Sequence, residues 1–422
     1  MSIAIESLRA IDIVHDHTDS EAIATLPPGT PFYWGVDPTA PALHLGNLVP
    51  FMLLVRLARA GLRPVVLYGG ATAAIGDPSG RSAERPLLER EQIAINIEKM
   101  SAQVERIAER CGLSGVTFVN NATWTDAVPV LEFLRDVGKH ITVNYMLAKD
   151  SVKSRLGGEG LSFTEFSYML LQAYDFWHLN ATMGVRLQIG GADQWGNITA
   201  GLELIRKKSP GASAHAMSVP LLLDSQGRKF GKSTGGGSLW LDPTLSPPFR
   251  IHQYLLNTAD DDAVRYLHIF CLWEEQKLAA IIDAQRAAPQ ERAAQNALAD
   301  EVVRIVHGDV GVEEARRSAS VLFGGSFEGI SDVALREIFS DVPSSALSRA
   351  EVLGLTVVEL FVRAGVAPSK GEARRLIEGG GGYINNYRIE KTGEQVSEES
   401  LGRSFLVLRA GKKRYHVVEL VG

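Results

Sequence analysis

Only two cysteines occur in the 422 residues, Cys111 and Cys271. They form no Cys-x-x-Cys pair, which excludes a disulfide framework and a thiolate zinc site. Both read as buried or idle thiols. Long apolar runs are also missing. The stretch from Phe51 to Leu57 is cut by Arg56 and followed by Arg59, so nothing reaches the roughly 20 apolar residues that a membrane helix needs. Glu6, Arg9, Asp12, Asp16 and Asp19 break up the N-terminal apolar residues and leave no core for a secretory leader. The expectation is a cytoplasmic protein with no membrane partner. His15, His17, His140, His178, His215, His252, His268 and His307 show no ligand spacing, so no protein-bound metal is expected. There is no internal repeat, and no biased tract beyond Gly379 to Gly382.

What is present has the balance of a folded, water-facing chain, with 45% apolar and 22% charged residues. Its length exceeds what one core supports, so two or three domains are expected. The net charge is −6, which argues against a simple nucleic-acid coat. The charge is unevenly spread, however. From Leu355 to Gly422 eleven Lys and Arg face eight Glu, so an acidic body carries a basic C-terminal module. Its clearest cluster is Lys412-Lys413-Arg414, with Arg403 and Arg409 nearby.

The first half alternates strand-like and helix-like segments, the pattern of a parallel α/β domain. Phe32 to Val36, Pro64 to Tyr68 and Val185 to Ile189 read as strands. Asn47 to Ala60, Arg90 to Cys111, Pro129 to Val137 and Phe163 to His178 read as helices. Two strands end in glycines, Gly69-Gly70 and Gly190-Gly191, and so deliver polar residues to the carboxyl edge of the sheet. Ligands bind at that edge in doubly wound folds. The expected fold is therefore α/β, with a Rossmann-like parallel sheet. A helical region rich in Ala, Leu, Glu and Arg follows from Phe249 to about Phe339, and then a small α/β module whose helix starts at Ser369.

Two short motifs carry chemistry. His44-Leu45-Gly46-Asn47 opens a helix, and Lys229-Phe230-Gly231-Lys232-Ser233 lies far downstream on a glycine-flanked loop. Cations and a histidine suit a site that stabilises a triphosphate while its leaving group departs, and adenylate formation has that requirement. A third constellation is Tyr168, Gln172 and Asp175. Spaced by four and three, they share one face of an otherwise apolar helix. A polar stripe there points to a ligand pocket.

The runs YWGVDPTAPALHLGN, GGATAAIGDPSG, FSYMLLQAYDF, LQIGGADQWGNITAGLELIR and KFGKS, in this order, closely resemble bacterial tyrosyl-tRNA synthetase. The resemblance runs from about residue 30 to the end, where the last segment is similar to an S4-type RNA-binding domain. It implies that Tyr33 and Asp175 bond the phenol of L-tyrosine, and that Asp77, Tyr168 and Gln172 hold its ammonium. It implies that Asp193 and Gln194 contact the ribose and adenylate, with Gly35, Asp37 and Gly191 along the nucleotide's path. Thr39 and His44 would grip the outer phosphate, and Lys229, Lys232 and Ser233 would meet the pyrophosphate. The family's first motif usually ends in histidine where Asn47 stands; this amide can still donate to the nucleotide, or serve as a helix-start cap. ATP, accompanied by Mg²⁺, L-tyrosine and tRNA(Tyr) are the implied substrates, and a homodimer through the region from Trp124 to Phe166 is the implied assembly.

The implied domains are 1–225 for catalysis, 226–245 for the lysine loop, 246–340 for a helical anticodon-side domain, 341–354 for a linker and 355–422 for the S4-like module. Arg206, Lys207 and Lys208 are candidates for the tRNA acceptor stem, and Lys370, Arg374 and Arg375 for RNA contact in the tail. Trp124 and Trp195 read as packing residues. A tryptophan-specific relative would leave the Tyr33 hydroxyl beside Asp175 unexplained, because an indole only donates. A non-catalytic RNA-binding or splicing factor would have lost His44, Asp77, Lys229 and Lys232, all of which are present. A metabolic nucleotidyltransferase would have no reason to carry the tail.

Overall fold

The computed structural model describes residues 3–79, 87–156, 160–223, 227, 229–231, 237–321, 324–340, 342–398, 400–411 and 414–421. Lys232, Ser233, Lys412 and Lys413 lie outside the described residues. The chain divides into two compact units, one of residues 1–242 with 255–306 and one of 243–254 with 307–422.

The first unit is built on five parallel strands, β1 (Pro31–Val36), β2 (Arg63–Tyr68), β3 (Thr117–Asn120), β4 (Leu187–Gly191) and β5 (His215–Val219). Their order is β3-β2-β1-β4-β5. The chain thus runs outward from β1 to β3 and returns to place β4 on the other side of β1. That reversal opens a cleft beyond the carboxyl ends of β1 and β4. Parallel strands are buried on both faces, and β2 accordingly reads Pro-Val-Val-Leu-Tyr without polar alternation, buried after its first residue.

Helix α1 (Leu48–Arg59) buries Leu48 to Val55 and Leu57. Its arginines are confined to the C-terminal end, where Arg56 donates to the carbonyls of His268 and Cys271 at 2.7 and 3.2 Å. Around the sheet lie α2 (Arg90–Arg110), α3 (Val130–Asp136), α4 (Val143–Leu147), α5 (Phe163–Met183) and α6 (Trp195–Lys208). Ser162 caps α5 by accepting from the Glu165 amide, and Gly184 ends it in the left-handed conformation. This helix runs five residues beyond the expected His178, because Leu179 adds a further buried contact before the glycine stop. Helices α7 (Asp260–Phe270) and α8 (Glu275–Ala287) complete the unit with the start of α9 (Ala293–Val321). One boundary between the units, after Val306, falls close to a break in α9 at Gly308, whose φ is 76°.

The second unit holds α10 (Asp332–Ile338), α11 (Val357–Arg363), α12 (Lys370–Glu378) and a mixed sheet of β6 (Ser344–Ser348), β7 (Gly382–Ile384), β8 (Tyr387–Arg388), β9 (Phe405–Ala410) and β10 (Arg414–Val421). Its order is β6-β10-β9-β7-β8, with only β6 parallel to its neighbour. The stretch 341–354, expected as a linker, therefore supplies an edge strand and a short helix, Arg349–Val352. A serine-rich, half-buried edge strand carries no apolar alternation for sequence reading to detect. The helical stretch 246–340 is likewise shared between the two units. Phe327, Ile330, Leu335 and Phe339 share one core with Phe405, Val407, Tyr415 and Val417.

Candidate active site

Tyr33, Gly35, Asp37, Thr39, His44, Asn47, Asp77, Tyr168, Gln172, Asp175, Gly191, Asp193, Gln194 and Lys229 all line one cavity of about 590 Å³ at the carboxyl ends of β1 and β4. Peptide stretches far apart in the chain meet there because the strand order reverses beside β1.

At the deep end, Tyr33 and Asp175 are 1% and 2% exposed. The Asp175 carboxylate accepts from Asn121 Nδ2 at 2.9 Å and from Trp124 Nε1 at 2.8 Å. Asn121 follows β3 and is itself fixed, its Oδ1 accepting from the Ala71 amide at 2.8 Å. Burial pushes the Asp175 carboxyl up to about 7, against the pull of these two donors. Burial, with the Asp175 charge beside it, holds the Tyr33 phenol well above its ordinary value. Neither Asn121 nor Trp124 stood out in the sequence as a site residue. Trp124, read as packing, does stack on His178 with ring centroids 4.6 Å apart, but its indole N–H is spent on the carboxylate.

Among the described residues, Tyr33 Oη, Gln172 Oε1 and Gln188 Oε1 are buried without a hydrogen-bond partner. Gln188 was also missed. It stands on β4 directly opposite Tyr33 in the parallel register, so the two side chains share a face of the sheet. Orphaned buried polar atoms are costly, and three in one cavity define a place for a polar ligand.

In the middle of the cavity the carboxylates are already engaged. Asp37, implied along the nucleotide's path, accepts from Tyr168 Oη and Thr72 Oγ1, each at 2.8 Å. Asp77 accepts from Gln194 Nε2 at 2.6 Å and from the Ser79 amide at 2.9 Å. Tyr168 and Gln194 are therefore held by carboxylates as well as facing the cavity. Asp193 is raised from its ordinary value by burial and by Asp77, with Lys229 opposing. Four carboxylates around one space favour a cationic group at its centre.

The mouth is made by the two short motifs, stitched together through backbone. Leu45 N donates to Leu239 O at 2.7 Å, Leu241 N to Leu43 O at 2.8 Å, and Leu239 N to Gly231 O at 2.9 Å. Gly231 has a φ of 79°. A Cβ there would come within 3.1 Å of the Gly46 amide nitrogen and of Leu45 Cβ, so only glycine lets the loop approach the helix start. Asn47 Oδ1 accepts from the His44 amide at 3.0 Å. The capping role is thus filled by the carbonyl end of this side chain, and its amide end is a donor. Gly46, Asn47 and Pro50 line the cavity where α1 begins, a position suited to anions.

The candidate RNA contacts fare differently. Arg206 and Lys207 pair with Glu203 at 2.8 and 2.9 Å. Lys207 Nζ also donates to His140 O at 2.6 Å, and Lys208 Nζ to Asp136 O at 2.9 Å while lying 4.0 Å over the Trp177 ring. Lys207 and Lys208 tie the end of α6 to neighbouring segments, while the Arg206 pair lies within the helix. In the second unit Lys370 pairs with Glu359 at 2.8 Å, whereas Arg374 and Arg375 are exposed on α12. Arg403 pairs with Asp332 and donates to Phe327 O and Ile330 O at 3.1 Å. Arg409 is buried 3.7 Å over the Tyr383 ring. Both serve the core of that unit.

Residues 29–324 match the family profile described as tRNA synthetases class I (W and Y), and residues 334–418 match that of the tyrosine–tRNA ligase SYY-like C-terminal domain. A tyrosine–tRNA ligase of Roseiflexus castenholzii is 43% identical over 426 aligned positions that span 100% of both chains. One from Opitutus terrae is 47% identical over 92% of each. Among solved structures, a C-terminally truncated mitochondrial tyrosyl-tRNA synthetase of Aspergillus nidulans superposes with a TM-score of 0.67 at 31% identity, covering 76% of this chain and 94% of that one. A Plasmodium falciparum tryptophanyl-tRNA synthetase, at 14% identity and a TM-score of 0.53, shares the fold.

Proposed function

The chain belongs to the tyrosine–tRNA ligases of class I, and from that premise we propose that the deep end of the cavity takes the side chain of L-tyrosine and the mouth takes the triphosphate of ATP. The enzyme activates L-tyrosine with ATP to tyrosyl-adenylate and pyrophosphate, then transfers the tyrosyl group to the 3′ end of tRNA(Tyr). The observation that carries the assignment of the deep end is the buried Tyr33 hydroxyl without a partner near a carboxylate held by two donors. A phenol donates and accepts, so it satisfies both groups together. Gln172 and Gln188 offer further acceptors for donors of the substrate. Asp37, Asp77 and Asp193 supply the negative field for its ammonium.

The chemistry needs no general base. The tyrosine carboxylate is already an anion; one of its oxygens forms a bond to the α-phosphorus in line with departure of the bridging oxygen to the β-phosphate, and pyrophosphate leaves with the electron pair. Thr39, His44, the Asn47 amide and Lys229 stand at the mouth, where donors stabilise the leaving charge. Lys232 and Ser233 belong to the same motif and are assigned the same work. Mg²⁺ enters with ATP as part of the substrate.

The assembly is assigned as a homodimer. Val130, Leu131 and Leu134 on α3, Val143 on α4 and Phe163 at the start of α5 are exposed apolar residues, on helices beside a shared core of Val137, Ile141, Met146 and Met169. Isolated exposed leucines need no explanation, but several on three packed helices favour an interface. Phe163→Asp should leave a 45.8 kDa monomer in sedimentation, and a monomeric parent chain would remove the assignment. Contact with tRNA is assigned to Arg374 and Arg375 of α12, and a cytoplasmic location is assigned from the likeness to the bacterial ligases.

ATP–pyrophosphate exchange measured with each of the twenty amino acids tests the reading of the cavity. Tyrosine alone should support rapid exchange. Equal exchange with phenylalanine or tryptophan would overturn the assignment of Tyr33 and Asp175.

A further inference from the structure

Phe230 stands between the residues of the lysine motif, yet its ring is 6% exposed and turned away from solvent. It meets two aromatic rings of α7, Tyr266 at 4.8 Å edge-to-face and Phe270 at 5.2 Å stacked, and these two lie 6.3 Å from each other. Three rings in mutual contact make a seat worth more than its buried area alone. The backbone on either side is pinned as well: Phe230 N donates to Leu222 O at 2.9 Å, and Lys229 forms an antiparallel bridge with Leu223. Tyr266 reaches that same bridge, its hydroxyl 3.5 Å from Leu223 O. Seating the Phe230 ring on α7 therefore fixes the residue next to Lys229, which lines the cavity and whose charge acts on Asp193.

We propose that Tyr266 and Phe270 are positioning residues for adenylate formation, which aim Lys229 at the leaving phosphates by seating the neighbouring Phe230 ring on α7. The inference rests on the reading of Lys229 as a cation for the pyrophosphate. Neither aromatic touches the substrate. Their effect arises because a reacting group displaced by about 1 Å loses on the order of 10²-fold in rate. A purely structural role for the seat would destabilise the chain without separating the kinetic steps. A positioning role makes the activation rate fall while tyrosine affinity stays the same.

The test uses the full chain and reads equilibrium tyrosine binding, single-turnover adenylate formation and thermal melting for Tyr266→Ala, Tyr266→Phe, Phe230→Leu, Lys229→Ala and the double variant Lys229→Ala/Tyr266→Ala. Tyr266→Ala and Phe230→Leu should each slow adenylate formation roughly tenfold or more, with tyrosine affinity within about twofold of the parent, and Tyr266→Phe should restore the rate. In the Lys229→Ala background the Tyr266 substitution should cost less than about twofold, because residues acting through one group are not additive. If Lys229→Ala is itself silent, the reading of the lysine fails and the inference falls with it. If Lys229→Ala is slow while Tyr266→Ala and Phe230→Leu run at the parent rate, the seat alone is refuted. Full additivity in the double variant refutes it equally. Phe230→Leu, which retains most of the buried volume, decides the matter should Tyr266→Ala fail to fold.

Discussion

The two ends of the cavity solve different problems with different materials. At the deep end the groups are side chains, Tyr33 and Asp175 are nearly solvent-free, and the carboxylate is locked: Asp175 by Asn121 and Trp124, Asn121 by the Ala71 amide. At the mouth the fixed parts are backbone, the stitches that join Leu43 and Leu45 to Leu239 and Leu241, and Leu239 to Gly231, and the charge is carried by an exposed lysine. Selectivity between similar side chains comes from leaving a buried partner unsatisfied, which requires groups that water cannot reach and that cannot turn aside. Stabilising a departing phosphate requires charge in the right direction, which a well-aimed lysine supplies without burial.

The sharpest way to break the comparison is to offer phenylalanine. Lacking the hydroxyl, it leaves Tyr33 and Asp175 unpaired, and its exchange rate should fall by about 10⁵; tyrosine activation is itself the standard example of this rule, so the magnitude is carried over from it. Discrimination below about tenfold would mean that the deep end is not the selective one. Next in size is Lys229→Ala, which should lower single-turnover adenylate formation by roughly 10²-fold with tyrosine affinity intact. A matching loss of tyrosine affinity would erase the distinction between the two ends.

Within the deep end, Trp124→Phe keeps the ring and removes one donor to a charged acceptor. Such a bond contributes about 1.5–3 kcal/mol, so tyrosine should bind at least tenfold more weakly in equilibrium titration while the ATP dependence stays put. The smallest effect is on stability against pH. Without substrate, folded Asp175 holds its proton up to about 7, against an ordinary value of 3.8. Between those values the folded chain binds more protons than the unfolded one, so this residue's contribution is fully present below about pH 4 and is lost as pH rises through 7. Asp175→Asn removes that slope. The melting temperature of the variant relative to the parent should therefore rise by a few degrees between pH 5 and pH 8. A constant difference across that range would show that Asp175 is not buried as an acid.

Much of this was legible in the chain. The apolar strands β1, β2 and β4 and the stripe Tyr168, Gln172, Asp175 follow from periodicity. Strands β3 and β5 escaped, because four half-buried residues at Thr117–Asn120 and the mixed His-Ala-Met-Ser-Val of β5 offer little alternation. The basic run Arg206 to Lys208 also bonds Glu203, His140 O and Asp136 O, which its sequence does not reveal. A lysine's sequence neighbours do not say which carbonyl lies within its reach.

The strand-to-glycine transitions at the sheet edge, the helix face and the two phosphate motifs were determined by local residue order, since a period of 2 or 3.6 and a turn glycine act over a few residues. Their resemblance to a known family named the reaction. Only the tertiary structure decided that Trp124 donates to a carboxylate 51 positions away, that Gln188 faces the space beside Tyr33, and that Phe230 is seated on α7. Those roles are properties of pairs brought together by strand order and burial. A hydrogen bond or a ring contact depends on ångström-scale separation, which residue type alone does not encode.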